Sequence, residues 1–203
     1  MARRLQVSPA SLGLLSECPR CFWLQLRGGV RRPAAPFPSL PSRMDLLIKA
    51  ACRPFHGGEG LPALLAVAGL RGRLVDPRIA RPWQDPATGL TLTGRLDECL
   101  EVPNEGLAPL DHKTRGFDPK EDTSHFYQLQ MDLYTRLLQA NGYPTAGYAV
   151  LVYYIPEEAP FDGAVRFRVV PERLAASVER ARAVVAQAAE VLAREAPPPP
   201  SGR

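Results

Sequence analysis

Two alternating segments joined by a short turn constrain the fold of this chain more than any other feature. Over residues 90–102, leucines at positions 90, 92, 96 and 100 alternate with polar residues, and a second apolar segment covers residues 107–114. Successive side chains of a strand point to opposite faces, so each segment predicts a strand with one buried face. The sequence Pro103-Asn104-Glu105-Gly106 between them is typical of a hairpin turn. We therefore expect a β-hairpin.

The predicted hairpin carries the most informative charged residues of the chain. Asp111 and Lys113 lie two residues apart and so share a face of the second strand, while Asp97 faces away from the leucines of the first. Among 25 Lys and Arg residues, only Lys49, Lys113 and Lys120 are lysines. Arginine is thus the usual cation here, and a lysine at position 113 indicates a role for a compact ammonium group.

A side-by-side arrangement of the two strands would bring both carboxylates and the ammonium together. Paired carboxylates are typical ligands of Mg²⁺ or Mn²⁺, and the backbone carbonyl of His112 is a further candidate ligand. Lys113 would then orient a water molecule or neutralise charge on a phosphate. The spacing leaves an alternative open, in which Asp111 and Lys113 form a solvated ion pair of little energetic value and Asp97 is an ordinary exposed residue.

The segments around the hairpin predict further helices and strands. Helices are predicted from Ser8-Pro9 onwards, through residues 22–26, and over 44–55, 61–70, 124–141 and 171–195; strands are predicted over 74–79, 148–155 and 165–170; residues 31–42 are predicted to form a loop. The apolar stripe of the helix over 124–141 comprises Phe126, Leu129, Leu133, Leu137 and Leu138. This order favours an α/β fold with a mixed central sheet of about four to five strands flanked by helices.

Length and composition bound the class of protein. A chain of 203 residues with 45% hydrophobic and 23% charged residues suits one globular domain. We expect it to cover residues 1–196, with a helical part over 8–70, a core over 74–196, and a disordered proline-rich tail over 197–203. The longest apolar stretch, residues 61–70, is too short to span a membrane, and no apolar signal core follows the N-terminus, so a cytoplasmic location is expected. A net charge of +4 is compatible with a nucleic-acid partner.

The cysteines indicate at most a weak metal site. Cys18 and Cys21 have the spacing of metal ligands, but a tetrahedral zinc site needs a second pair, and Cys52 and Cys99 are isolated in different predicted elements. A small zinc protein built on Cys18 and Cys21 is therefore the weakest of the functional alternatives.

Three ordered motifs connect the chain to a known family. They are Gly94-Arg95-Leu96-Asp97, Leu110-Asp111-His112-Lys113-Thr114 and Gln130-Met131-Asp132-Leu133-Tyr134. Gln130 and Tyr134 lie four residues apart and so share a face of their predicted helix. The set resembles the RecB-like branch of the PD-(D/E)XK nuclease superfamily, which shows a G-x-x-D strand, an apolar-D/E-x-K strand and a Q-x-x-x-Y helix. The resemblance covers about residues 8–195.

The resemblance implies a restriction-endonuclease-like core and the cleavage of DNA phosphodiester bonds with Mg²⁺ or Mn²⁺. It implies that Asp97 and Asp111 are metal ligands, that Lys113 is the catalytic lysine, and that Gln130 and Tyr134 complete the catalytic set. Exonuclease action on single strands or ends, in DNA repair, recombination or defence, suits this family best. A helicase or another subunit of a repair or defence complex is then an expected partner.

Two departures from the family pattern affect the details. Many relatives use a further metal ligand from a helix upstream of the sheet, for which Asp45 is favoured here over His56. Many relatives also bind an iron–sulfur cluster through cysteines near the C-terminus, but no cysteine follows Cys99, so no cluster is expected. These departures keep open a second function, that of a non-catalytic nucleic-acid-binding or scaffold module on the same fold.

Overall fold

The computed structural model describes residues 5–33, 39–160 and 162–200. The α-helices of this part are α1 Pro9–Glu17, α2 Pro19–Leu26, α3 Ser39–Cys52, α4 Ala63–Val67, α5 Gln128–Ala140 and α6 Val178–Ala193. Its strands are β1 Gln6–Val7, β2 Arg73–Val75, β3 Trp83–Gln84, β4 Thr91–Leu92, β5 Glu98–Val102, β6 Gly106–Thr114, β7 Tyr148–Glu158 and β8 Arg166–Ala175. Short 3₁₀ helices cover Arg53–Phe55, Pro77–Ile79 and Thr123–Tyr127.

The central sheet has five strands in the order β2-β5-β6-β7-β8. Strands β6 and β7 are parallel, and the other neighbouring pairs are antiparallel. This confirms the predicted mixed sheet flanked by helices. The predicted hairpin is confirmed as well: β5 and β6 pair from Glu98 with Leu110 to Val102 with Gly106, and Gly106 has a φ of 104° in the turn. A side chain at Gly106 would also collide with the Pro144 carbonyl, 2.7 Å from the position of a Cβ atom.

Alternation along the central strands builds a separate apolar core on each face of the sheet. On one face, Leu151 and Tyr153 of β7 pack with α1, α5 and α6. On the other face, Val150 and Val152 pack with α4 and with the C-terminal end of α3. Leu110 belongs to the second core, so its odd-numbered neighbour Asp111 faces the side of α5.

The predicted single strand over residues 90–102 is wrong in one respect. Strand β4 belongs to a separate three-stranded sheet, where it lies between β1 and β3. The chain enters the central sheet only at Glu98, the first residue of β5. The connecting segment 93–97 is held from elsewhere, since Thr93 donates its N–H to Val7 and the Arg95 carbonyl accepts the hydroxyl proton of Tyr134. These contacts join residues far apart in the sequence, so the alternation of apolar and polar residues over 90–102 does not reveal them.

The helix predicted from Pro171 begins later, at Val178. Strand β8 continues to Ala175 because it pairs with β7 along its whole length, with Pro171 opposite Val152 and Leu174 opposite Ala149. A proline is tolerated there because β8 is the edge strand of the sheet. The helix α6 then begins where the Ser177 hydroxyl accepts a hydrogen bond from the Arg180 N–H.

The two chain segments rich in proline are described in part. Residues 39–42 of the predicted loop already belong to α3, and residues 34–38 lie outside the described part. In the predicted tail, Pro198 is buried and its carbonyl accepts a hydrogen bond of 3.0 Å from Arg20, so the start of this segment packs on α2. Residues 201–203 lie outside the described part. Among the helices described, none is long and apolar enough to cross a membrane.

Candidate functional site

Asp97 sits at the point where β5 stops covering β6. The two strands pair only as far as Glu98 opposite Leu110, so the β5 edge of β6 is uncovered from Asp111 onwards. The Asp97 carboxylate takes the place of the missing strand and accepts a hydrogen bond of 3.1 Å from the His112 N–H. The hairpin register thus brings the Asp97 side chain next to the backbone of the Asp111-His112-Lys113 motif.

One cavity of about 630 Å³ gathers most of the residues predicted from the sequence. Its lining includes Asp97, Asp111 and Lys113 from the hairpin, Gln130 from α5 and Asp45 from α3. Tyr134 lines a neighbouring cavity instead, and His56 is not among the residues that line this one.

Asp111 is the most unusual group in this cavity, because it is 2% exposed and incompletely partnered. Its Oδ1 accepts a hydrogen bond of 2.8 Å from Gln130. Its Oδ2 forms a close ion pair with Lys113 but has no hydrogen-bond partner among the described residues. Burial, followed by the negative charge of Asp97, raises the pKa of Asp111 to about 6, although Lys113 opposes this shift.

The Lys113 ammonium is fixed from two sides. Besides its ion pair with Asp111, its Nζ lies 4.3 Å from the centre of the Tyr127 ring, where the face of the ring attracts a cation. The side chain is 18% exposed, so the charge is held at the cavity wall and not released into solvent.

The helix motif positions the strand motif. Gln130 donates to Asp111 and lies 3.1 Å from the Tyr134 hydroxyl, and that hydroxyl donates a hydrogen bond of 2.8 Å to the Arg95 carbonyl. A Cβ atom on Gly94 would lie 3.0 Å from the Tyr134 ring, so glycine leaves room for this approach. The G-x-x-D and Q-x-x-x-Y motifs are therefore parts of one contact, in which α5 holds both Asp111 and the segment that leads to Asp97.

Lys49 is the site residue that sequence reasoning missed. It lies on α3, and its Nζ forms ion pairs of 2.8 Å with Asp45 and 2.7 Å with Asp97. Two signals pointed to it: the scarcity of lysine in the chain and the i, i+4 spacing from Asp45. Since α3 and the hairpin are about fifty residues apart, no local pattern showed that Lys49 would reach Asp97.

The two upstream candidates for a metal ligand lie in different places. Asp45 lines the cavity, next to Lys49 and Asp97. His56 instead contacts the buried carboxylate of Glu98, with 2.5 Å between its Nε2 and Oε2.

The imidazole of His112 lies on the opposite face of the sheet from Asp111 and Lys113. Its Nδ1 is 3.1 Å from the Tyr154 hydroxyl, and burial lowers the pKa of His112 to about 4, which keeps the ring neutral at physiological pH. A strand residue directs its N–H and C=O to the same side, so the His112 carbonyl also faces Asp97.

The donor set of the cavity suits a hard divalent cation. Asp45, Asp97 and Asp111 supply only oxygen ligands, which is the chemistry that Mg²⁺ and Mn²⁺ prefer. The Asp111 Oδ2 is buried and has the Lys113 ammonium as its one partner among the described residues, so a metal ion could bind this oxygen as a second positive partner. The residues therefore fit a divalent metal.

A second cavity of about 610 Å³ adjoins the first and shares Gln130 with it. Its lining includes Arg95, Tyr134 and Phe126, whose ring is 81% exposed. The prediction that Phe126 belongs to a core stripe is wrong, although Leu133, Leu137 and Leu138 are buried as expected; the 3₁₀ helix Thr123–Tyr127 precedes α5 and shifts the helical phase.

Comparisons with known proteins give one family and one distant structure. Residues 57–203 match the sequence model of the PD-(D/E)XK nuclease superfamily. A solved structure titled "Crystal structure of SSO0001" is 13% identical, covers 97% of this chain and 80% of its own, and superposes with a TM-score of 0.47. No curated protein matches the chain significantly.

Proposed function

The chain belongs to the PD-(D/E)XK nuclease superfamily, and from this premise we propose that it is a DNA nuclease dependent on Mg²⁺ or Mn²⁺. The observation that carries the proposal is the convergence of Asp97, Asp111 and Lys113 in one cavity. The match covers residues 57–203 and therefore includes all three motifs.

Each group in the cavity has a role in this proposal. Asp97, Asp111, the His112 carbonyl and Asp45 would hold the metal, which when bound polarises a phosphate oxygen and acidifies a water molecule. Lys113 stabilises the charge that develops on the phosphate, since its ammonium is held in place by Asp111 and the Tyr127 ring. Gln130 and Tyr134 act through Asp111 and the Arg95 carbonyl, so they are positioning residues.

The second cavity supports a single-stranded substrate or a strand end. An exposed aromatic ring such as Phe126 is a surface on which an unpaired base can stack, and Arg95 nearby is exposed and cationic. A single DNA strand lying across both cavities would bring its phosphate backbone to Asp111. Exonuclease action, a role in DNA repair, recombination or defence in the cytoplasm, and assembly with a helicase or similar subunit are proposed from the family resemblance.

Cleavage of end-labelled single- and double-stranded DNA tests the proposed activity. We expect products with Mn²⁺ or Mg²⁺, none with EDTA, and at least about 100-fold slower cleavage by Lys113→Met, because one charge-stabilising group supplies a few kcal/mol. Lys120→Met is the matched control, since Lys120 is exposed in the loop after β6 and lies outside the cavity lining. Equal rates for the two variants would remove Lys113 from the mechanism.

Binding of single-stranded DNA by Phe126→Ala tests whether the DNA strand passes over the second cavity. In an Asp111→Asn background that prevents cleavage, we expect affinity to fall by roughly 5- to 100-fold, the effect of losing one stacked base. Phe117→Ala is the control, because Phe117 is 85% exposed and lies outside both cavities. An equal loss in the two variants would indicate a general surface effect and not a stacking position.

One observation favours the alternative of a non-catalytic binding or scaffold module. The Lys49 ammonium already pairs with both Asp45 and Asp97 and offsets one of their two negative charges, so an internal cation occupies part of the acidic site. If cleavage products are absent with every metal while DNA binding persists, this second function gains support. A Lys49→Met variant separates the two, since gain of Mn²⁺-dependent cleavage would identify Lys49 as a competitor at a functional site.

A further inference from the structure

A second group of ligand-type side chains lies on the other face of the hairpin. Cys52 at the end of α3, Glu98 at the start of β5 and His112 in β6 are all buried. One ligand atom from each, the thiol sulfur, a carboxylate oxygen and a ring nitrogen, lies within 4.8 Å of the other two. Within residues 5–33, 39–160 and 162–200, these three form the one group of this kind.

The spacing of the Cys52 and His112 ligand atoms also suits a small tetrahedral ion. The Cys52 Sγ and His112 Nε2 are 3.8 Å apart, which is the long end of a thiol–imidazole hydrogen bond. Bonds of about 2.3 Å to sulfur and about 2.0 Å to nitrogen at a tetrahedral angle separate the two ligand atoms by about 3.5 Å. The observed spacing is therefore within a few tenths of an ångström of a zinc-ligand edge.

Neighbouring groups hold the donors in ligand orientation. The Tyr154 hydroxyl contacts His112 Nδ1 at 3.1 Å, which leaves Nε2 directed at Cys52 and Glu98. His56 contacts the Glu98 carboxylate at 2.5 Å. Histidine and carboxylate ligands of metals are commonly fixed by such outer partners.

Packing and a lone ion pair explain only part of this arrangement. His56 accounts for the burial of the Glu98 charge, and Tyr154 accounts for one ring nitrogen of His112. A long hydrogen bond accounts for the approach of the Cys52 thiol to the second ring nitrogen, but none of these contacts accounts for the Glu98 carboxylate beside both. A bound cation accounts for all three.

We propose that Cys52, Glu98 and His112 bind Zn²⁺ at a second metal site, which ties the end of α3 to the sheet. Sulfur and nitrogen ligands select zinc, whereas the oxygen ligands around Asp111 select Mg²⁺ or Mn²⁺. The two sites lie on opposite faces of β6 because His112 and Asp111 are consecutive strand residues. On binding, the Cys52 thiol releases its proton to solvent and the sulfur bonds to the metal; a water molecule takes the fourth position.

Cobalt substitution tests the site independently of cleavage. The parent protein carries Cys18→Ser and Cys21→Ser, which remove the other thiol pair, and it is stripped with a chelator and titrated with Co²⁺. We expect one equivalent to bind with the near-ultraviolet charge-transfer absorption of a cobalt–thiolate bond. Adding Cys52→Ser should abolish the absorption and weaken binding at least 100-fold. Adding Cys99→Ser should not, since Cys99 is buried in the other core.

The parent protein alone can overturn the proposal, even if a Cys52 variant fails to fold. Absence of a cobalt–thiolate absorption in the folded parent, or its persistence after Cys52→Ser, would exclude this site. Adding Asp111→Asn distinguishes it from the proposed nuclease site: the absorption should remain while cleavage is lost. Unfolding of the parent should also shift to higher temperature with Zn²⁺ and return with EDTA; a shift unaffected by Cys52→Ser counts against the proposal.

Discussion

Two aspartates of this protein are equally buried but differently partnered. Asp111 and Asp132 are each 2% exposed. Asp132 accepts hydrogen bonds from Gln128, from the Ser177 N–H and from two nitrogens of Arg180, so both oxygens are bonded. These contacts join α5 to the start of α6, and Asp132 is accordingly a structural residue.

Asp111 has a much poorer set of partners. It accepts one hydrogen bond, from Gln130, and its second oxygen has only the ion pair with Lys113. Burying a carboxylate without full hydrogen bonding is costly, and Asp111 borders a cavity large enough for a ligand. Burial alone therefore does not distinguish a structural charge from a functional one, whereas the completeness of its hydrogen bonds does.

The largest expected effect is on catalysis by Asp111→Asn. Asparagine keeps the shape but removes the charge that a metal needs, so we expect cleavage to fall about 1000-fold, or roughly 4 kcal/mol in the transition state. The folded protein should be as stable as wild type or more stable at neutral pH, because the raised pKa of Asp111 means that its charge is less favourable in the folded than in the unfolded state even beside Lys113. Single-turnover cleavage and urea unfolding measure the two quantities, and a large loss of stability would place Asp111 in the same class as Asp132.

The opposite result is expected for Asp132→Ala. Removing this carboxylate leaves the Ser177 N–H and part of the Arg180 guanidinium without partners. The free energy of unfolding should therefore fall by about 3 kcal/mol. The half-exposed Arg180 can recover some hydration, which keeps the loss below that of a fully buried pair. Cleavage per folded molecule should change only a few-fold. A loss of cleavage comparable to that of Asp111→Asn, with normal stability, would contradict the structural assignment.

The pH dependence of stability provides a third test. The pKa of Asp111 is raised from 3.8 to about 6 in the folded, metal-free protein, so its contribution to stability is fully present below about pH 4 and is lost as the pH rises through 6. The loss is on the order of 3 kcal/mol. His112 has the opposite shift, so the informative quantity is the difference in unfolding free energy between wild type and Asp111→Asn at each pH. A difference that is constant between pH 4 and pH 7 would rule out the raised pKa.

The smallest effect is expected for Tyr134→Phe. This change removes the hydroxyl that binds the Arg95 carbonyl and contacts Gln130, and one such hydrogen bond contributes about 1 kcal/mol. We expect that loss in stability and a few-fold loss in cleavage, because Asp97 and Asp111 would be held less firmly. Tyr143→Phe serves as a control on a tyrosine just beyond the end of α5. A loss of 100-fold in cleavage would instead indicate a direct catalytic role for Tyr134.

The local patterns predicted the hairpin and the shared face of Asp111 and Lys113 correctly, because both follow from strand alternation and turn chemistry. The spacing of Gln130 and Tyr134 likewise required only the helical repeat. The local sequence patterns did not predict the ends of elements that are set by contacts with a distant part of the chain. Pairing with β7 extends β8 past Pro171, and Tyr134 diverts the segment before Asp97 out of the strand.

Local periodicity was enough to predict most of the elements, the mixed sheet and the motif residues, since these depend on periods of two and 3.6 residues. The packing of distant elements brings Lys49 to Asp97 and gathers Cys52, Glu98 and His112. It also leaves the Oδ2 of Asp111 without a hydrogen bond, whereas both oxygens of Asp132 accept one. Each of these depends on contacts between elements far apart in the sequence, such as those of Asp132 with Arg180 and of Cys52 with His112. Such contacts arise from the packing of α3, α5 and α6 on the sheet, which no local repeat encodes.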